Sequence, residues 1–138
     1  MPARRKHKII IDTNLWISFL LTGDISRIDK IISDKNVVLL FSQELVDEFL
    51  TVAERPKFRK YFSLADLEDL LTKVRIVAKI ISVTSVVEIC RDAKDNFLLA
   101  LTKDSKATHL VTGDKDILIL KRVGKTKIVT ITEYLSKT

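Results

Sequence analysis

The chain is expected to fold as an α/β protein, with a mostly parallel sheet covered by helices on both faces. Three observations predict it. Short apolar runs without polar alternation recur, as in Ile9-Ile10-Ile11 and Val37-Val38-Leu39-Leu40-Phe41; strands buried on both faces read this way. Stretches with helical spacing of apolar residues stand between them. Strand followed by helix, repeated along the chain, gives βαβ units and parallel pairing.

The elements follow in order. Ile9 to Ile11 is the first strand. Leu15 to Leu21 is a short helix that Gly23 breaks. Asp24 caps a second helix, in which Ile25, Ile28, Ile31 and Ile32 recur at helical spacing, and Asn36 ends it. Val37 to Phe41 is the second strand. Ser42 caps a helix to about Arg55, with Leu45, Val46, Phe49, Leu50, Val52 and Ala53 as its apolar face; Pro56 stops it. Phe58, Tyr61 and Phe62 form an aromatic connector. Ser63-Leu64-Ala65-Asp66 is a capping box with Asp in place of Glu, and Leu64, Leu67, Leu70, Leu71, Val74 and Val77 give the next helix its stripe. Lys79 to Val83 reads as a strand. Asp92 or Asp95 opens a helix with Phe97, Leu98 and Leu101 inward. His109 to Thr112 is a further strand, and Gly113-Asp114 turns it into a short helix, Ile117 to Leu120. Lys127 to Ile131 is the last strand, before a helical stub at Tyr134-Leu135.

With 138 residues, 46% hydrophobic and 30% charged, the composition fits one globular domain spanning residues 1–138. Three Gly and two Pro leave no room for long linkers. A lone cysteine, Cys90, excludes an internal disulfide and fits a reducing cytoplasm. The basic start Arg4-Arg5-Lys6-His7-Lys8 resembles the head of a signal peptide, but the apolar run behind it stops at Asp12, too short for one. Residues 1–8 are read instead as a basic arm, with Arg4 to Lys8 either a flexible arm, the favoured reading, or a phosphate-contacting tail. No apolar stretch approaches the length needed to span a bilayer. The net charge of +6 favours a polyanionic partner, most simply nucleic acid.

Carboxylates fall at four places just after a strand or on a helix beside one: Asp12, Glu48, Asp92 with Asp95, and Asp114 with Asp116. In a parallel sheet, distant strand ends meet at one edge, where open α/β sheets bind ligands. Acids gathered there repel one another unless a hard divalent cation such as Mg²⁺ or Mn²⁺ joins them. Such an ion serves phosphodiester hydrolysis. Taken singly, the acids differ. Asp12 reads as functional, because Thr13 and Asn14 are better placed to cap the helix that follows. Glu48 lies away from the apolar stripe and reads as exposed, with Glu44 and Asp47 competing for any role. Asp92 and Asp95 read as caps of the following helix. Asp114 and Asp116 stand in a turn, where Asp is common, but their strand repeats the layout of the first. Two histidines and one cysteine, widely separated, make no zinc site. No nucleophile elbow and no glycine-rich phosphate loop is present. Trp16 and Phe19 fit a packing face.

The ordered set Ile10-Ile11-Asp12-Thr13-Asn14, Ser42 to Phe49, Cys90 to Leu98 and Leu110 to Asp116 resembles the PIN domain family. Arg55-Pro56-Lys57-Phe58 adds to the likeness, as in a subfamily similar to VapC-type toxins. The resemblance implies a three-layer α/β/α sandwich with strand order 3-2-1-4-5. It implies a Mg²⁺- or Mn²⁺-dependent endoribonuclease, the toxin of a toxin–antitoxin pair, with RNA as substrate, a cognate antitoxin as partner, and a homodimer. The family's acids fall on Asp12, Glu48, Asp95 and Asp114, with Asp116 assisting a second ion; this reverses the readings of Glu48 and Asp95 reached from pattern alone. Thr13, Asn14, Asp92 and Thr112 match supporting positions: Asn14 would orient a carboxylate or a water, and Thr112 would bond Asp12 or the substrate. The family's usual Asp-Pro is Asp92-Ala93 here, which costs the loop rigidity but no carboxylate.

The rival readings are a catalytically silent RNA-binding module on the same fold, and a phospho-acceptor or phosphatase domain built on Asp12. The full acid set argues against the first. Ser42 after the mid-chain strand and Asn14 in place of an acid argue against the second.

Overall fold

The computed structural model describes residues 7–24 and 26–136. Its six-stranded sheet has the order β3-β2-β1-β4-β6-β5. The strands are β1 (His7–Ile11), β2 (Val37–Phe41), β3 (Ala78–Ile80), β4 (His109–Val111), β5 (Arg122–Val123) and β6 (Thr126–Val129). All pairings are parallel except that of β5 with β6. Without β5 the parallel order is the expected 3-2-1-4-5. The extra strand is a correction of two residues, made by the turn at Gly124 (φ 56°), whose left-handed backbone suits glycine.

The helices are α1 (Thr13–Thr22), α2 (Ser26–Ile32), α3 (Gln43–Ala53), α4 (Leu64–Val77), α5 (Ala93–Ser105), α6 (Lys115–Leu118) and α7 (Ile131–Ser136), with a 3₁₀ turn at Pro56–Phe58. Side chains alternate across the central strand, as a pleat requires. Ile9 and Ile11 join Trp16, Phe19, Ile28, Phe49, Leu67 and Tyr134 in one core layer. Ile10 joins Leu40, Leu98, Leu99, Leu101, Leu110 and Ile117 in the other. These two layers on a single sheet make the three-layer sandwich.

The local chemistry of the helix ends is legible. Ser63 Oγ accepts from the Asp66 N–H, and the Asp66 carboxylate accepts from the Ser63 N–H, the predicted capping box. Ser42 caps α3 by accepting from the Leu45 N–H. Gly23 closes α1 with φ 70°.

Three further expectations need correction. His7 and Lys8 are not part of an arm: both belong to β1 and pair with Val37 and Val38. Residues 1–6, like Ile25, lie outside the described residues. The strand expected over Lys79–Val83 shortens to Ala78–Ile80, because α4 runs straight into it and the chain beyond Ile81 leaves the ladder. That segment is pinned instead to α5, where the Asp104 carboxylate accepts from the N–H groups of Thr84 (2.6 Å) and Ser85 (2.9 Å) and from the Ser85 hydroxyl. The helix expected at Ile117–Leu120 starts two residues earlier, at Lys115.

Leu110 lies in β4 beside the central strand and is fully buried. Leu110→Ala is expected to cost about 2–5 kcal/mol of folding stability, measured by urea denaturation with an unchanged slope.

Candidate metal centre

Strands β1, β4 and β6 end together, and the ladder continues into the acids. The Asp12 N–H donates to Val111 O (2.9 Å) and the Thr112 N–H to Val129 O (3.0 Å). Asp12 and Thr112 thereby stand side by side on neighbouring strand ends. The Thr112 hydroxyl donates to Asp12 Oδ2 (2.9 Å) and accepts from the Asp114 N–H (3.0 Å). One buried threonine fixes both the first acid and the backbone of the last.

Asp12, Asp92 and Asp114 share a second geometry. Each is the N-cap of the helix it precedes, and each accepts with Oδ1 from the N–H two residues on: Asn14 (3.1 Å), Lys94 (2.8 Å) and Asp116 (2.9 Å). Capping by Thr13 or Asn14 was expected at α1. Asp12 does it instead, and the choice between cap and functional acid dissolves, because a carboxylate that caps with one oxygen still has the other. The dipoles of α1 and α5 also favour negative charge at these ends.

Asp12, Thr13, Asn14, Leu45, Glu48, Asp92, Lys94, Asp95, Leu98 and Asp114 line one cavity of about 60 Å³. Asp95 and Asp114 also lie with Asp116 in a tight set, their nearest carboxylate oxygens all within 4.8 Å of one another. Asp116 is exposed and completes this set from the rim. Glu48 reaches the cavity because it lies one turn from Leu45, which packs in the same core layer as Leu98 of α5. Its Oε1 is 3.2 Å from Lys94 Nζ. Asn14 offers its backbone N–H to Asp12, and its side chain is exposed. Size does not mark this site: a groove of about 400 Å³ lined by Trp16, Phe41, Phe49, Leu70 and Val74 carries no acid.

The electrostatics match the crowding. Burial pushes the Asp12 carboxyl up, against hydrogen bonds from the Asn14 N–H and the Thr112 hydroxyl; the charges of Asp114 and Glu48 push it further. Asp95 is 6% exposed and is pushed up to about 6, first by burial, then by the charges of Asp114, Asp92 and Asp12. The same field, after burial, holds the Cys90 thiol up. The tight set offers only carboxylate oxygens, hard donors that suit a hard divalent cation. A divalent cation fits both the donors and the surplus negative charge.

Two residues that sequence reasoning gave no role belong here. Lys94 lines the cavity as its one cation among the described residues. Asn96 folds the approach to α5: Oδ1 accepts from the Ile89 N–H (3.1 Å) and the Cys90 N–H (2.7 Å), and Nδ2 donates to Cys90 O (2.8 Å). An Asn early in a helix after an irregular stretch was the available signal for this loop clamp.

With this geometry in place, comparison with known proteins gives the class. The chain matches the PIN domain family over residues 8–116, and it belongs to that family. PIN domains are generally metal-dependent nucleases, which makes hydrolysis of nucleic acid the general activity here. An uncharacterized protein of Methanocaldococcus jannaschii is similar, 32% identical over 123 residues, covering 87% of this chain and 79% of the relative. No solved structure matches. Among the described residues, no helix is long and apolar enough to cross a membrane.

The raised Asp95 carboxyl has a thermodynamic consequence. It titrates near 6 when folded and near 3.8 in its ordinary state, so between these values the folded chain holds a proton that the unfolded chain releases. In chelator, this group makes the protein more stable as pH falls from 7 towards 4, and less stable as pH rises through 6. Asp95→Asn is expected to flatten this dependence and to raise Tm at pH 7 by ~2–5 °C, as read by calorimetry in EDTA.

Proposed function

We propose that this protein is a Mg²⁺- or Mn²⁺-dependent endoribonuclease and the toxin half of a toxin–antitoxin pair. One observation carries the enzymatic reading: Asp12, Glu48, Asp95 and Asp114 come from four separate elements and line a single cavity, with Asp116 closing on Asp95 and Asp114. The basic chain, with net charge +6, favours a polyanionic substrate.

In this reading Asp12, Asp95 and Asp114 would hold the catalytic cation, directly or through water, and Asp116, close to Asp95 and Asp114, would assist a second ion. When bound, the ion supplies charge neutralisation at the phosphodiester and lowers the pKa of water. The chain's own residues do the rest. Thr112 and the Asn14 N–H keep the Asp12 carboxylate in one orientation, so no reorganisation is needed when substrate arrives. Glu48, about 30% exposed at its side chain, faces the cavity from α3 and accepts the proton of the attacking water. The water oxygen bonds to phosphorus as one P–O ester bond breaks, and the leaving oxygen takes up a proton. Thr13 and Asn14 border the approach. Asp92 keeps the N-terminus of α5, and with it Asp95, in place.

The toxin role rests on the resemblance of Arg55-Pro56-Lys57-Phe58 and the ordered acids to VapC-type proteins. It carries with it a homodimer and an antitoxin that inserts a basic side chain among the acids. A small DNA-binding reading frame beside this one supports that role, and its absence counts against it.

Cleavage of single-stranded RNA in Mn²⁺ tests the enzymatic reading. Asp12→Asn and Asp114→Asn are each expected to lower the rate ~100-fold or more, with Tm within a few degrees of wild type. Equal cleavage by wild type and Asp12→Asn overturns the metal-site assignment. Thr112→Val, which keeps shape but loses the bond to Asp12, is expected to lower kcat ~10-fold in the same assay.

A further inference from the structure

Lys94 is an ammonium inside an acidic site. It is the second residue of α5, its N–H donates to the Asp92 cap (2.8 Å), and its Nζ lies 3.2 Å from Glu48 Oε1. Five carboxylate residues line the same cavity: Asp12, Glu48, Asp92, Asp95 and Asp114. We propose that Lys94 is the residue that receives the scissile phosphate of RNA, and that its ion pair with Glu48 holds it ready until a divalent cation and substrate arrive. The proposal deepens the nuclease reading and rests on it.

The pair is built to let go. The Lys94 side chain is 69% exposed and Glu48 30%, and ion pairs exposed to this degree are weakly held. Asp92 fixes the Lys94 backbone, while the four-carbon stem leaves the ammonium free to swing. A divalent cation held by the acids would neutralise the cavity, and Lys94 would then no longer be held there by its charge. With the cavity's carboxylates facing that cation, the anion assigned to the displaced ammonium is a backbone phosphate of the bound polynucleotide. Lysine suits that transfer as a compact point charge with three donors. Release also frees Glu48 at the moment its carboxylate is needed for the attacking water. One ion pair therefore links metal entry, substrate capture and exposure of the base. If Lys94 were merely a counter-charge for Glu48, its removal would alter metal affinity and leave RNA binding alone.

The full-length Lys94→Gln and Lys94→Arg proteins test this, with thermal unfolding as the check on folding. Mn²⁺ titration by calorimetry without RNA is expected to give ~3-fold tighter binding for Lys94→Gln and wild-type binding for Lys94→Arg. In saturating Mn²⁺, KM for single-stranded RNA is expected to rise ~10-fold in Lys94→Gln, with kcat within ~3-fold, and Lys94→Arg to restore KM. Binding of labelled RNA in Ca²⁺ is expected to weaken by the same ~10-fold factor. Unchanged KM and RNA affinity in Lys94→Gln overturns the phosphate role whatever Mn²⁺ does, and so does weaker Mn²⁺ binding. Wild type that binds RNA through Lys94 but cleaves none overturns the nuclease reading and the scissile role, and leaves Lys94 as a contact to RNA phosphate. Wild type that cleaves RNA without needing Lys94 does the reverse, and wild type that binds no RNA overturns both.

Discussion

Repulsion between carboxylates is the constraint on which the rest of this structure depends. Asp95, Asp114 and Asp116 bring oxygens within 4.8 Å of one another, and each such pair costs on the order of 1–3 kcal/mol in a half-solvated site. Asp12 adds a further buried carboxyl beside them. The fold tolerates this because the acids sit where the backbone is positive. Strands β1 and β4 end at the same edge, α1 and α6 begin there, and α5 brings its own N-terminus to it. Asp12, Asp92 and Asp114 each accept a helix-initiating N–H. The amide groups that every helix start leaves unpaired become the local counterweight to the cluster.

This arrangement gives each capping residue two duties with two oxygens. In Asp12, Oδ1 holds α1 and Oδ2 holds Thr112. Thr112 then reaches the Asp114 backbone, so the strand ends are bound to each other through the site and not only through the ladder. A change at Thr112 is therefore felt at two acids without touching the core. The clamps at Asn96 and Asp104 act in the same way on the other side, tying the irregular chain before α5 to the helix itself.

What could be read from the residues follows the range of the forces involved. The run Val37 to Phe41 and the box Ser63–Asp66 depend on neighbours in sequence, and both appear as expected. The pair Arg122-Val123 carries no strand signal; it pairs only because Gly124 turns the chain back along β6. Lys79 to Val83 has three β-branched residues in five, Ile80, Ile81 and Val83, yet Val83 packs against the second core layer outside any ladder. At the site, Asp12 and Asp114 were visible as acids after apolar strands. Glu48 was not, because its position is set by how α3 packs in the folded chain, against α1 and the core, which no periodicity within α3 records. Lys94 was hidden for the opposite reason: a lysine among aspartates on a helix start reads as a solvated charge until its partner on another element is known.

Asp95 shows where the balance ends. It is the one buried acid of the cluster without a capping bond: it lies within the first turn of α5, and burial and the charge of Asp114 push its carboxyl up to about 6. Among the described residues no basic side chain pairs with it, since Lys94 is turned to Glu48 instead, and the start of α5 favours its charge only through the helix dipole. The uncompensated charge is therefore localised, at a residue whose oxygen already lies close to two others. A site built only for stability would have placed Lys94 there or lost the acid. Leaving the deficit at Asp95, while Lys94, the residue before it on α5, turns its ammonium to Glu48 of α3, keeps the surplus negative charge where Asp95, Asp114 and Asp116 bring their oxygens together.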